Sequence, residues 1–553
     1  MKRLLSVLGV LGLTLLVLTG CHPSTQSATK SDNKGVMLHN QNVTIVQQTP
    51  PDTVDISKVT SFSKLRSSTE GLFRQGKNGH LVAGLASKTQ VSHNSTIYDF
   101  TIRQNARWSN GQPITAQDFV YSWKRTIAKS THSVNANLFA GIKNATAIRR
   151  GQLPASKLGV TAVSAHHLRV TLDHPIAYFK TLLAYPLFAP QSKTEVQRYG
   201  TRYGKRASTQ LYSGPFKLVK WRSNCKTRVL APNPYYWDKR HVYLHRLTIT
   251  TATSLKTDLK NYRAGKLDEV QLFDNQITEN KNQPDYLVRP FSSMRFISYN
   301  FKTTNKTADQ LINNQDARLA ISHAINRKTL INNALKNASL APKGLVTAGL
   351  SKNVKTKADF ADQQAAQSTV KGNTALAKKE WQQAQQTLHL SHYSLTLTVA
   401  NDWASKRVAT NIKHQLETKL NHFDVKIRTV RTSTANRLAL NGQYQLLLSS
   451  WGADYPDPLS FLQIMTANSR FNYGSWQNKA YNNLIIKISN NPTGNQLNRW
   501  QEMLDAEKLL MTNQAVTPLY QQADSYLSNP KLNGVVYNIS GVVADYKSAY
   551  LVK

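Results

Sequence analysis

Cysteine is almost absent from this 553-residue chain, where Cys21 and Cys225 are the only two. A disulfide framework is therefore excluded, and stability has to come from packing. Catalytic signatures are missing as well. There is no H-E-x-x-H, no G-x-S-x-G, no C-x-x-C and no Walker or dinucleotide glycine loop. These absences remove the common hydrolase, redox and nucleotide-dependent classes, and predict a protein that is not an enzyme and holds no cofactor. His166-His167 and the pair His389 and His392 lack a third ligand at suitable spacing, so they read as surface or packing histidines and no metal site is expected. No internal repeat occurs, and no apolar run reaches the ~20 residues that a membrane-spanning helix needs.

Acidic residues are scarce too. Thirty Asp plus Glu stand against seventy Lys plus Arg, a formal net charge of +40. Such a balance usually suggests nucleic acid. Here the basic residues are spread along the chain, as at Lys143, Arg149, Arg150, Arg169, Lys205, Arg206 and Lys352, with no basic arm or nucleic-acid module. The expectation is no nucleic-acid partner, but adsorption to anionic cell-envelope polymers and lipid head groups.

What is present begins at the N-terminus. Lys2 and Arg3 precede an apolar run from Leu4 to Leu18 that ends in Leu18-Thr19-Gly20-Cys21. This resembles a bacterial lipoprotein signal peptide, which implies that residues 1–20 are removed and that Cys21 carries a diacylglycerol. Two acyl chains make a stable anchor at about 0.8 kcal/mol per buried methylene. Residues 21–35 are polar without apolar periodicity and read as a flexible tether. With Cys21 lipidated, Cys225 has no partner and reads as a small buried hydrophobe. The protein is then expected on the extracellular face of the cell membrane of a Gram-positive bacterium, as a monomer.

Hydrophobic patterning predicts an α/β protein. Strand-like runs fall at Ile97 to Arg103, Leu168 to Leu172, Leu247 to Thr251, Arg295 to Phe301, Leu395 to Ala400, Val425 to Val430 and Gln445 to Ser449. Helical runs lie between them at Asp316 to Leu335, Ala375 to Leu388, Ser405 to Leu420 and Gln496 to Met511. Thr115 with Asp118 has the form of a capping box, so a further helix should start at Ala116 and bury Phe119, Val120 and Trp123, with Lys124 and Arg125 on the other side.

Six motifs in order carry a resemblance. They are Thr69-Glu70-Gly71-Leu72, the stretch Trp108 to Arg125, Gly214-Pro215-Phe216-Lys217-Leu218, Asn233-Pro234-Tyr235-Tyr236-Trp237, Asp316-Ala317-Arg318 with Ala324-Ile325-Asn326-Arg327, and Trp451 to Pro458. Together the chain resembles the family 5 solute-binding proteins, the extracellular peptide-binding receptors of ABC importers. The resemblance implies a two-lobed periplasmic-binding-protein-like fold with a hinge and an additional inserted domain. Lobe I would take residues 36–83, 207–297 and 522–553, the inserted domain II 84–206, and lobe III 298–521, with the hinge near Ser298 and Gln521.

The same resemblance implies a receptor that binds oligopeptides between the lobes and delivers them to permease subunits in the membrane. Asp454 would pair with the ligand's α-amino group, because an aspartate followed by tyrosine does so in the peptide-binding members. Main chain near Glu70, Gly71, Leu72 and Phe73 on one side, and near Gly452 and Ala453 on the other, would bond an extended peptide as an added strand. Trp451 either walls a side-chain pocket or is core, and Tyr455 completes the motif. Asp457 reads as a turn cap. One departure stands out. Enterobacterial receptors carry arginines that can meet the peptide C-terminus, whereas Leu448 and Ala439 occupy those positions here and Arg437 lies out of register. The alternatives are a basic cell-surface adhesin on the same fold, or a family member binding a signalling peptide, nickel or haem.

Overall fold

Alternating burial along short, β-branched segments builds most of the strands, and the computed structural model describes them across residues 35–553, apart from 61, 63, 64, 66, 93, 365–368, 391, 492 and 493. The leader, Cys21 and the tether up to residue 34 lie outside the described residues. In chain order the strands are β1 (Asn42–Gln47), β2 (Phe73–Gln75), β3 (Leu81–Ala83), β4 (Ala86–Val91), β5 (Ile97–Ile102), β6 (Val160–Ser164) and β7 (His167–Thr171). There follow β8 (Phe216–Lys220), β9 (Thr227–Pro232), β10 (Arg246–Thr251), β11 (Glu269–Leu272), β12 (Tyr286–Tyr299), β13 (Tyr393–Ala400), β14 (Phe423–Val430), β15 (Leu446–Gly452) and β16 (Val516–Ser528).

Ten of these form one mixed sheet in the order β14-β13-β15-β12-β16-β11-β1-β10-β9-β8. β1 runs parallel to β10, with Val43 opposite Leu247 and Ile45 opposite Ile249, and all four side chains are buried. At the other end β13 pairs in parallel with β14 and β15. The long antiparallel pair β12 and β16 joins the two ends, so both halves of the sheet share one hydrogen-bonded spine. Between Pro290 and Met294 the register of β12 against β16 shifts. Proline brings no N–H to the ladder, which accounts for a break there. At this break the Gln521 side chain donates to Phe291 O at 3.1 Å and accepts from Ala348 N at 2.9 Å.

Separate hydrophobic clusters sit on the two halves. One surrounds Ile45, Phe216, Leu247 and Tyr546, and others surround Leu397, Ile412 and Trp381, and Phe461, Tyr481 and Leu510. Helices Thr374–Leu388 and Trp403–Lys419 cover β13 and β14. Trp381 locks this layer by edge-on contacts with Tyr393 at 4.8 Å and Phe423 at 5.1 Å, each worth about 0.5–1.5 kcal/mol beyond area burial. Asn373 and Asp402 cap these helices by accepting from Leu376 N and Ser405 N, about 1 kcal/mol apiece. The four-stranded sheet β4-β5-β7-β6 forms its own core with Phe100, Leu168, Trp123 and Phe188.

Helix α1 (Ala116–Ile127) starts where expected, with the Asp118 carboxylate accepting from Thr115 N at 2.8 Å. Its far face differs from expectation. Arg125 does not sit on a free polar side but makes a two-pronged ion pair with the buried Asp55, at 2.8 and 2.6 Å, because Asp55 otherwise faces only neutral donors. Asp316 to Leu335 is likewise not one helix. Gln315–Ala324 ends before Asn326, whose side chain accepts from Thr329 N and starts a new turn, followed by a π-helical segment over Leu330–Leu335. Cys225 is only half-buried, with Arg222 Nε 3.3 Å from its sulfur. Among the described residues no helix is long and apolar enough to cross a membrane.

Candidate functional site

β15 delivers the chain to Trp451-Gly452, where it pairs with β12 through Trp451 opposite Met294 and Gly452 opposite Ser293. Pro456 and Pro458 then forbid a further ladder. The loop between is held by specific bonds. Ala453 N donates to Ser292 O at 2.8 Å, Asp454 N donates to Ser460 Oγ at 2.7 Å, and Trp451 Nε1 donates to Ser460 O at 2.8 Å. The Trp451 ring packs on Phe471 with centroids 4.5 Å apart, so this tryptophan braces the loop. Asp457 is buried and structural: it accepts from Leu459 N at 3.0 Å and from both terminal nitrogens of the buried Arg499 at 2.8 and 2.9 Å.

Asp454 is different. No hydrogen bond or ion pair to its carboxylate occurs among the described residues, although it lies half-buried in the wall of a cleft of about 510 Å³. Burial pushes its pKa up from 3.8 to about 6, and the positive charge of Arg470 pulls it back only in part. Opposite, the Tyr178 ring stacks on Tyr455 with centroids 3.9 Å apart and planes within 7°. Tyr178 precedes the short helix Phe179–Leu182, so a segment packed on the four-stranded sheet closes directly over the motif. The cleft thus holds a carboxylate that has lost water without gaining an ion-pair partner, a cost that Arg470 offsets only in part and that a ligand cation would offset further.

The other set of expected residues is placed less openly. Glu70 is 1% exposed and Leu72 0% exposed. The Glu70 carboxylate accepts from Tyr236 OH at 3.1 Å and Trp237 Nε1 at 3.3 Å and is ion-paired with Arg74, which also meets Asp545. Burial raises the Glu70 pKa, and Arg74 works against that rise. This explains why a Glu-Gly-Leu motif and a Tyr-Tyr-Trp motif occur together. Gly71 is required by close approach, since a Cβ there would stand 2.6 Å from Leu183 O. Gly71 O and Leu72 O already accept from Leu85 N, and from Gly84 N and Ala86 N. Phe73 opens β2 and pairs with Ala83.

The structure therefore gathers Asp454 and Tyr455 in one cleft with Trp451, Gly452 and Ala453 leading into it. It gathers Glu70 to Phe73 in a second strip, separated from the first by the segment 178–185. Gly71 and Phe73 line a pocket of about 30 Å³ of their own. A larger hollow of about 740 Å³ lies between Asn275–Tyr286 and Asn332–Ala338, but its charged groups Glu279, Lys281 and Lys336 are all solvent-exposed, so none demands a partner. Leu448 and Ala439 are buried in core clusters, and Arg437 is exposed on helix Thr432–Leu440. The cations that do line the cleft, Arg149 and Arg470, stand in no motif, and nothing in their local sequence marks them. Among the described residues no three His, Cys, Asp or Glu side chains converge as a metal-binding group.

Comparison with known proteins agrees with this architecture. The profile of "Bacterial extracellular solute-binding proteins, family 5 Middle" matches residues 80–473. The chain is 31% identical to the "Dipeptide-binding protein" of Lactococcus lactis subsp. cremoris, over 90% of this chain and 92% of that protein. It is 26% identical to "Oligopeptide-binding protein OppA" of Bacillus subtilis over the full length of both. Among solved structures, "Listeria monocytogenes OppA bound to peptide" superposes with a TM-score of 0.78 at 29% identity, covering 93% of this chain and all of that one. A profile matched over most of the chain, one two-lobed α/β fold and a relative above 30% identity together place this protein among the bacterial extracellular solute-binding proteins of family 5.

Proposed function

We propose that this protein is a lipid-anchored receptor that binds oligopeptides between two lobes and passes them to the permease of an ABC importer. The observation that carries the reading is the Asp454 carboxylate, half-buried in the cleft with no ion pair or hydrogen bond to it among the described residues. An α-ammonium offers three donors and a charge that such a carboxylate lacks. The curated relatives support peptide as the cargo, since their names specify dipeptide and oligopeptide binding. Gly452 and Ala453, with Glu70 to Phe73, are assigned to the peptide main chain. Because the strip from Glu70 to Phe73 is closed off here by residues 178–185, this assignment requires the lobes to open about β12 and β16, near Ser298 and Gln521. On this reading lobe I comprises 36–83, 207–297 and 522–553, domain II 84–206, and lobe III 298–521, with Cys21 as the lipid attachment.

The test is selective capture. The protein is incubated with defined tri- to hexapeptides and their N-acetylated forms and sprayed under non-denaturing conditions into a mass spectrometer. Complexes with the free-amine members alone are expected. Equal complexes with the acetylated forms, or none with any peptide, would contradict the reading.

A further inference from the structure

Arg149 and Arg470 line the same cleft as Asp454, and they also line an adjoining hollow of about 190 Å³ with Lys129 and His132. Among the described residues no acidic side chain borders that hollow. Arg149 lies in the last turn of the helix Ala145–Arg150, in the segment packed with the four-stranded sheet, whereas Arg470 follows the short helices after the Asp454 loop. The two guanidinium groups therefore approach from opposite walls. Neither forms an ion pair among the described residues; Arg470 only lies over the Phe471 ring at 4.6 Å. Their mutual repulsion registers on Arg149, whose pKa is lowered by burial first and then by Arg470 and Arg150. Asp454 offsets part of the charge of Arg470, but neither guanidinium has an ion-paired acid among the described residues, and in a chain with +40 of charge two cations facing each other across the cleft cost free energy that a bound anion would recover in part.

We infer that Arg149 and Arg470 form a carboxylate-binding pole in the same cleft as Asp454, so that the cleft takes peptides carrying an ammonium and a carboxylate close together. This rests on the peptide reading above and narrows its substrate class. Two poles of opposite sign in one cavity match a zwitterion, and a guanidinium fork meets a carboxylate through two hydrogen bonds. An extended chain advances about 3.4 Å per residue, so the carboxylate belongs to the C-terminus of a very short peptide or to an acidic side chain near the N-terminus. Because the arginines lie on opposite walls, the same carboxylate would bridge them and hold the closed form together. Selectivity and closure would then share one contact.

Calorimetric titration distinguishes the possibilities. The probes are trialanine, trialanine amide, the amide of Glu-Ala-Ala, and N-acetyl-trialanine, each against wild type and the double variant Arg149→Gln, Arg470→Gln. Wild type should bind trialanine about ten- to a hundredfold more tightly than its amide, the range for charged hydrogen bonds lost. The double variant should lose that preference, keep its melting temperature, and still reject the acetylated peptide. Tight binding of the Glu-Ala-Ala amide would place an acidic side chain at the pole, and weak binding would reserve it for the C-terminus. If wild type treats acid and both amides alike yet rejects N-acetyl-trialanine, the carboxylate pole is wrong and the peptide reading stands. If no probe binds, both fall. Competition by inorganic phosphate without any preference among the peptides would also overturn the inference, as an anion site unconnected with the ligand.

Discussion

Two aspartates three positions apart have opposite fates, and the difference is local. Asp457 is neutralised by Arg499 and capped into a turn, whereas Asp454 has no ion pair among the described residues and only partial compensation from Arg470. Asp457→Ala should leave Arg499 buried without its partner, a loss of about 3–5 kcal/mol in denaturant unfolding, with the ligand affinity of the folded fraction little changed. An Asp457→Ala protein as stable as wild type would contradict the pairing. For Asp454 the sign runs through protonation. Its carboxyl has been raised to about 6 from 3.8, so the unliganded protein holds a proton there below pH 6 and stability due to this group declines as pH rises from about 4 to 6. A ligand ammonium needs the ionised form. Affinity should be level above pH 6 and fall about tenfold per pH unit below it, over the range where the fold survives. Asp454→Asn should bind weakly at every pH and show no such slope; a wild-type profile flat from pH 5 to 8 would contradict the shift.

At the scale of elements, two arginines of one motif turn out to be splints. Arg318 donates to Gln514 O, Ile312 O and Asn513 O, while Arg327 donates to Pro518 O, Ser322 O and Ile325 O. Both are buried against carbonyls with no ion pair among the described residues, and burial lowers their pKa values to about 10 and about 9. Arg327→Ala should cost at least about 3 kcal/mol by stranding those carbonyls. Arg327→Lys should recover little, since the fork geometry and not the charge satisfies them; full recovery in thermal unfolding would contradict this.

The same elements show where sequence reading succeeds. Helices at Thr374–Leu388, Trp403–Lys419 and Gln496–Thr512 and the strand at Phe423–Val430 lie within two residues of expectation, because their apolar periodicity is uninterrupted. β16 was invisible because its inward positions include Thr517, Gln521 and Ser525, polar side chains buried against Tyr299 OH, Phe291 O and Tyr286 OH. β12 begins nine residues before its expected start, since Pro290 masks the continuation. Asp454 was legible through its motif, while Arg149, Arg470 and Tyr178 reach the cleft only by tertiary packing.

For the whole molecule, charge separates two kinds of binding. A +40 chain should adhere to anionic envelope polymers with an affinity that falls steeply as salt rises, whereas binding in an enclosed cleft should change less. Measured on one preparation, parallel salt dependences would favour an open electrostatic site and the adhesin alternative. Anchoring is testable in the same cells: labelled fatty acid should mark the wild type and not Cys21→Ala, and equal labelling would remove the lipid.

The central claim is that Asp454 meets a ligand ammonium, and a calorimetric double-mutant cycle tests it most directly. One peptide in free and N-acetylated forms is titrated into wild type and Asp454→Ala. Removing the carboxylate should weaken the free peptide by about 2–5 kcal/mol, the loss typical of a desolvated charge pair broken on one side, or roughly 30-fold to several thousandfold. Acetylation should cost wild type a similar amount and the variant far less, because the interaction it removes is already gone. Additive losses, with no coupling between the two changes, would show that Asp454 does not meet the amino group.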